Sequence, residues 1–285
     1  MKMSPQAFLD WESKGITLLG MSGAGKTTLA NKLPREKWFH YSGDYRIGTK
    51  YLEEPILDNI KRQAMSVPFL RELLRSDSIY IHNNISVNNL GPVAAFLGKI
   101  GDPALGGLSL AEFKRRQILH HQAEIAAMQD VPQFIHKAED IYGYKHFIND
   151  AGGSVCELDS PEVLDLLAEH TLILYIRTTA NQEQSIFDRA QSDPKPMYYR
   201  EEFLDQKLAE FMALKAYQNT DEIPPDEFVT WVFPELFHSR LPRYQAIADQ
   251  YGYTLDAETV AEVQTEQDFL QLITDAITAQ SPPRI

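Results

Sequence analysis

The sequence predicts an α/β fold: a three-layer sandwich with a five-stranded parallel sheet and a largely helical insertion between strands 2 and 3. Three observations predict it. Five short apolar runs alternate with stretches of helical character, the pattern of a parallel sheet covered by helices on both faces. The first run passes through a glycine-rich loop into a helical pattern, which makes one βα unit. About a hundred residues separate the second run from the third, far more than one helical crossover needs.

Taken in order, the strands are expected over 16–19, 38–41, 146–149, 172–176 and 253–255, with a helix over 26–33 after the first. Within the insertion, Gly91, Pro92, Gly98, Gly101, Pro103, Gly106 and Gly107 predict a loop over 91–107. Ser109 followed by Glu112 marks a helix start, and Leu110, Phe113, Leu119, Ala123 and Ala126 give that helix an apolar face. Leu204, Leu208, Phe211 and Met212 form a stripe that reads as core packing. Thr265 and Asp268 form a capping-box-like start for the last helix, whose Phe269, Leu270, Ile273 and Ile277 follow at helical spacing.

Composition narrows the function. The net charge of −13 argues against a nucleic-acid partner, which needs a basic face to displace counterions. With no apolar stretch of about eighteen residues and no signal-peptide layout, a cytoplasmic protein without a membrane partner is expected. Cys156 is the single cysteine, so neither an intrachain disulfide nor a thiolate cluster forms. His120 and His121 are neighbours but lack metal-ligand spacing. Lys114, Arg115 and Arg116 form a basic run that suits either an anionic acceptor or a solvated helix face.

The segment GMSGAGKTT, Gly20 through Thr28, satisfies G-x-x-x-x-G-K-[ST] between a strand and a helix. Gly20, Gly23 and Gly25 let the backbone take positive φ and approach phosphates, so the amides of Met21, Ser22, Ala24 and Thr28 turn inward with theirs. Lys26 brings a charge to the β- and γ-phosphates of ATP, and Thr27 a hydroxyl to Mg²⁺. An acidic protein repels ATP at long range, so phosphate affinity has to come from such a local cluster. Asp150 ends the third strand as a second Mg²⁺-directed group, or as a solvated turn residue, and Gly152 and Gly153 allow backbone to approach a phosphate or acceptor. Asp44 and Arg46 follow the second strand, at the end where open α/β sheets bind ligands.

With GMSGAGKTT, SGDYR after strand two, AGGSV after strand three, ILYIRTT at strand four and RYQAIADQYGYTLDA before the last helix, the chain resembles the shikimate kinase-like and nucleotide kinase-like branch of the P-loop NTPases. The resemblance implies Asp44 as the acceptor-binding carboxylate and catalytic base, Arg46 as an acceptor clamp, and Gly152 and Gly153 as substrate-side glycines. It also implies a lid near 184–202, with Arg189, and less so Lys195 and Arg200, stabilising the transferred phosphoryl group. That family often has D-x-D after strand two; Ser42 stands first here, which leaves Mg²⁺ to Thr27 and Asp150.

The expected division is a nucleotide-binding core over 1–50 and 146–285, and an insertion over 51–145 that binds the small-molecule acceptor and offers a surface for a protein partner. The expected activity is transfer of the ATP γ-phosphoryl group to a small-molecule hydroxyl or phosphate, with Lys26, Asp44 and Arg189 as catalytic residues. A regulatory or partner-coupled ATPase, a toxin-like kinase of an activated sugar and a nucleotide-binding module without turnover are the alternatives.

Overall fold

The computed structural model describes residues 2–280. Its sheet comprises β1 (Gly15–Leu19), β2 (Trp38–Ser42), β3 (His146–Asp150), β4 (Leu172–Arg177) and β5 (Gly252–Asp256). The order is β2-β3-β1-β4-β5, and every pairing is parallel. All five strands begin and end within one residue of the expected runs, because an apolar run bounded by polar residues has few ways to be buried on two faces.

Ile16, Leu18, Ile148, Leu174, Ile176 and Leu255 pack on one face with Leu29, Phe269, Ile273 and Ile277 from the covering helices. On the other face Phe39 and Tyr41 meet Phe134 of the helix Val131–Asp140, and both also meet Phe147. Buried polar side chains of the sheet pair with one another where they can. Asn149 Nδ2 donates to Thr17 Oγ1 at 3.2 Å, which shares a hydrogen with Thr171 Oγ1 at 2.8 Å. The last helix, Glu266–Gln280, starts with Thr265 Oγ1 accepting from the Asp268 amide and Asp268 accepting from the Thr265 amide. The amides of Gln264 and Thr265, both donating to the Asp268 carboxyl, hold it below its usual range.

The chain divides into two compact units. The sheet unit takes the described residues up to Gly43, then Ile125–Asp193, then those from Phe233 onward; Asp44–Glu124 and Pro194–Val232 form the second. This differs from the expected insertion over 51–145. The helix Val131–Asp140 stays with the sheet because Phe134 is needed to cover Phe39 and Tyr41. The expected lid segment is likewise divided: the helix Ala180–Ser192, capped by Thr179 and Gln182, packs Phe187 on Phe233 and Phe237 in the sheet unit, and the chain from Pro194 belongs to the second unit.

The second unit has its own aromatic core, in which Phe211 meets Phe228 and Trp231 beside buried Leu204 and Leu208. The helix Leu110–Gln129, which lies in the second unit as far as Glu124, starts at Ser109 as expected, but the expected loop over 91–107 contains the helix Gly91–Leu97, with Pro92 in the first turn where a missing N–H costs nothing. The basic run is divided: Arg115 is exposed and pairs with Glu112, while its neighbours are committed to internal partners. Arg116 is 5% exposed and donates to Glu112, Phe96 O and Asn59 Oδ1, while Lys114 pairs with Glu201 and Asp205. Hydrogen bonds from Arg115 and Arg116 draw the Glu112 carboxyl down to about 2. Among the described residues no helix is long and apolar enough to cross a membrane.

His146 gives the sheet unit a pH dependence. Its Nδ1 accepts the Lys14 amide at 3.1 Å and its ring meets Trp38, and burial pushes its pKa from 6.5 to about 4 against the opposing pull of Glu266. The unfolded chain therefore takes up this proton first as pH falls. The contribution is complete above pH 6.5 and lost on the way down to about 4. In urea titrations at pH 7 and 4.5, His146→Gln should lose roughly 2–3 kcal/mol less than the unsubstituted chain on acidification.

Candidate functional site

In-register parallel strands end together, so their outgoing loops are neighbours. Asp150 lies opposite Leu18 of β1 and Ser42 of β2, at the carboxyl edge where α/β sheets of this kind hold ligands.

The loop after β1 turns through Gly20, Gly23 and Gly25 at φ 144°, 86° and 100°. Gly25 caps the helix Lys26–Lys32 from the left-handed region, where a side chain would be strained even though there is space for one. Met21 and Ala24 face inward, and Ser22, Gly23, Thr27 and Thr28 are exposed. Lys26 is buried, its ammonium donating to Gly20 O at 2.7 Å and Met21 O at 3.1 Å, which centres a positive charge within the loop.

Thr27 Oγ1 donates to Asp150 Oδ2 at 2.5 Å, bringing a hydroxyl and a buried carboxylate together across 123 positions of chain. The pair fits Mg²⁺, a hard cation that keeps much of its shell as water and phosphate oxygen. Among the described residues no group of three or more His, Cys, Asp or Glu could hold a metal, so an ion here would draw its other ligands from water and bound phosphate.

Gly152 and Gly153 are packed rather than looping freely. A Cβ on Gly153 would stand 3.1 Å from Ser22 N of the phosphate loop, and one on Gly43 would stand 3.4 Å from Gly152 N. Gly153 O accepts from Arg240 Nη1 at 3.0 Å. Arg240, from the helix Pro225–Tyr251, also donates through Nε and Nη2 to Glu157 Oε2 at 2.8 and 2.5 Å, and both partners are buried. Burial opposes the guanidinium charge, but the Glu157 carboxylate outweighs it and holds the Arg240 pKa above its ordinary value. Arg189, which is exposed, lies over the loop: its Nη2 is 3.0 Å from where a Cβ on Gly23 would stand.

The sheet unit thus gathers Lys26, Thr27, Asp150, Gly152, Gly153 and Arg189 around one loop. It does not include Asp44 or Arg46, which belong to the second unit; Asp44 is its first residue, directly after Gly43, and the Arg46 guanidinium lies 5.7 Å from the Tyr51 ring centroid. Sequence reasoning missed Arg240, Glu157 and His40, whose Nε2 is 3.6 Å from Asp150 Oδ2. A signal existed only for His40, since alternation along β2 puts it on the face of Ser42.

No family model matches the chain, and no curated protein matches it. Among solved structures it is similar to the shikimate kinase of Bacteroides thetaiotaomicron, at 14% identity and a TM-score of 0.36 over 92% of this chain and 95% of that one. It is also similar to the shikimate kinase of Acinetobacter baumannii in complex with shikimate, at 12% identity and a TM-score of 0.33 over 83% and 99%. The class rests on the chain's own features: a parallel sheet of order β2-β3-β1-β4-β5, with a G-x-x-x-x-G-K-T loop leaving its central strand, is the α/β sandwich of the P-loop proteins.

Because Arg240 and Glu157 are buried together, they are to be tested as a pair. Arg240→Met leaves a carboxylate alone in the interior and should cost about 3–5 kcal/mol, whereas Arg240→Met combined with Glu157→Leu should recover most of that loss, read from urea unfolding.

Proposed function

We propose that the protein transfers the γ-phosphoryl group of ATP to a hydroxyl or phosphate of a small molecule. The observation that carries this reading is the joining of Lys26, Thr27 and Asp150 at one glycine-rich loop: a charge for phosphate, and an oxygen pair for its metal ion. Lys26 exchanges the carbonyls of Gly20 and Met21 for the β- and γ-phosphates, and the amides of residues 20–28 hold the phosphate chain. Thr27 and Asp150 hold Mg²⁺, which when bound offsets phosphate charge. Arg189, lying over Gly23, adds positive charge where the phosphoryl group moves.

Asp44 takes the proton of the acceptor hydroxyl, whose oxygen bonds to the γ-phosphorus as the bond to the departing ADP breaks. Arg46 binds the acceptor, and Gly152 and Gly153, beside the phosphate loop, are its substrate-side glycines. Most of the acceleration comes from positioning and charge stabilisation. The setting is the cytoplasm, without nucleic acid or membrane, and a protein partner, if one is used, meets the second unit.

The test is a screen with γ-labelled ATP against pooled metabolites. Lys26→Ala should lower transfer at least about 100-fold. Asp44→Asn should lower transfer by about 100-fold or more while leaving nucleotide affinity unchanged. ATP consumption at one rate with and without every acceptor pool would replace this reading with an ATPase.

A further inference from the structure

We infer that His40 is a positioning residue for the Asp150 carboxylate and thereby sets the Mg²⁺ requirement of nucleotide binding. The inference rests on the nucleotide-binding reading above and extends it to a residue that touches neither nucleotide nor acceptor.

Along β2, Phe39 and Tyr41 point to the face covered by Phe134, so His40 shares the opposite face with Trp38 and Ser42. On β3, His146 meets Trp38, which puts Ile148 and Asp150 on that same face. The register therefore sets the imidazole beside the carboxylate, with Nε2 3.6 Å from Oδ2. That nitrogen is out of contact with solvent and has no hydrogen-bond partner. A buried polar nitrogen in that condition is destabilising, and a nearby acceptor relieves it. A displacement of about 0.6 Å brings the pair to ordinary N–H···O distance.

Oδ2 already accepts from Thr27 and has a second lone pair for the imidazole N–H. Two donors converging on Oδ2 fix the carboxylate rotamer and leave Oδ1 for the ion or one of its waters. Such outer partners are worth 10- to 100-fold in metal affinity. The same histidine has no such effect on metal-free nucleotide, which is held by the loop amides and Lys26.

The experiment is calorimetric titration of the β,γ-imido analogue of ATP into the intact chain, in EDTA and across a Mg²⁺ series. His40→Phe keeps a ring of similar bulk and removes the donor. It should raise the Mg²⁺ concentration for half-maximal affinity about 10-fold or more and leave affinity in EDTA unchanged. His40→Gln retains an N–H and should stay within about threefold of the unsubstituted chain. Should His40→Phe fail to fold by circular dichroism, His40→Leu carries the same comparison. An unshifted Mg²⁺ dependence without the donor overturns the assignment, and so does an equal loss in His40→Phe and His40→Gln or a loss already present in EDTA. An unsubstituted chain with no Mg²⁺-dependent affinity overturns the nucleotide reading itself, and this inference with it.

Discussion

The hydrogen bond from Thr27 to Asp150 joins the first helix to the third strand, and the candidate site depends on it. It exists because β3 sits between β1 and β2 with Asp150 opposite Leu18 and Ser42. A slip of one residue would turn Asp150 to the other face, where Tyr41 meets Phe134 and Phe39 meets Phe147. Sheet register, a property of apolar packing, thus decides whether a carboxylate reaches a threonine hydroxyl.

Packing and chemistry meet again at the double glycine. Gly153 lies so close to Ser22 that a methyl group would crowd the Ser22 amide, and the Gly153 carbonyl is tied by Arg240 to Glu157. A buried ion pair of this kind contributes little net stability, because desolvation offsets most of the attraction. Its effect is geometric: it ties the segment after β3 to the helix Pro225–Tyr251, so the backbone beside the phosphate loop is held on two sides. In the second unit Arg116 likewise gives its guanidinium to Glu112, Asn59 and a backbone carbonyl, and so spends on internal order a charge that the sequence offered to a ligand.

Legibility followed locality. The phosphate loop could be read because its function is written in contiguous residues: glycines for positive φ, a lysine and a threonine at the mouth of a helix. The five strands could be read because two-faced burial leaves short apolar runs with few alternatives. The helix Gly91–Leu97 could not, since glycine and proline signal a turn unless one sees that Pro92 occupies a first helical turn. The placement of Val131–Asp140 was hidden for another reason: its Phe134 belongs to the sheet by contact with Phe39 and Tyr41, and sequence distance says nothing of such contacts.

Strand count, parallel sheet, phosphate loop and the capped final helix follow from short stretches of chain, because propensity, periodicity and capping act over a few residues. Which side chains surround the loop does not. Arg240 and Glu157 are 83 positions apart, and His40 and Asp150 sit on different strands; each pair meets only after the sheet has chosen its order and register. Those choices minimise exposed apolar surface over the whole unit, so no local segment records the polar contacts that come with them.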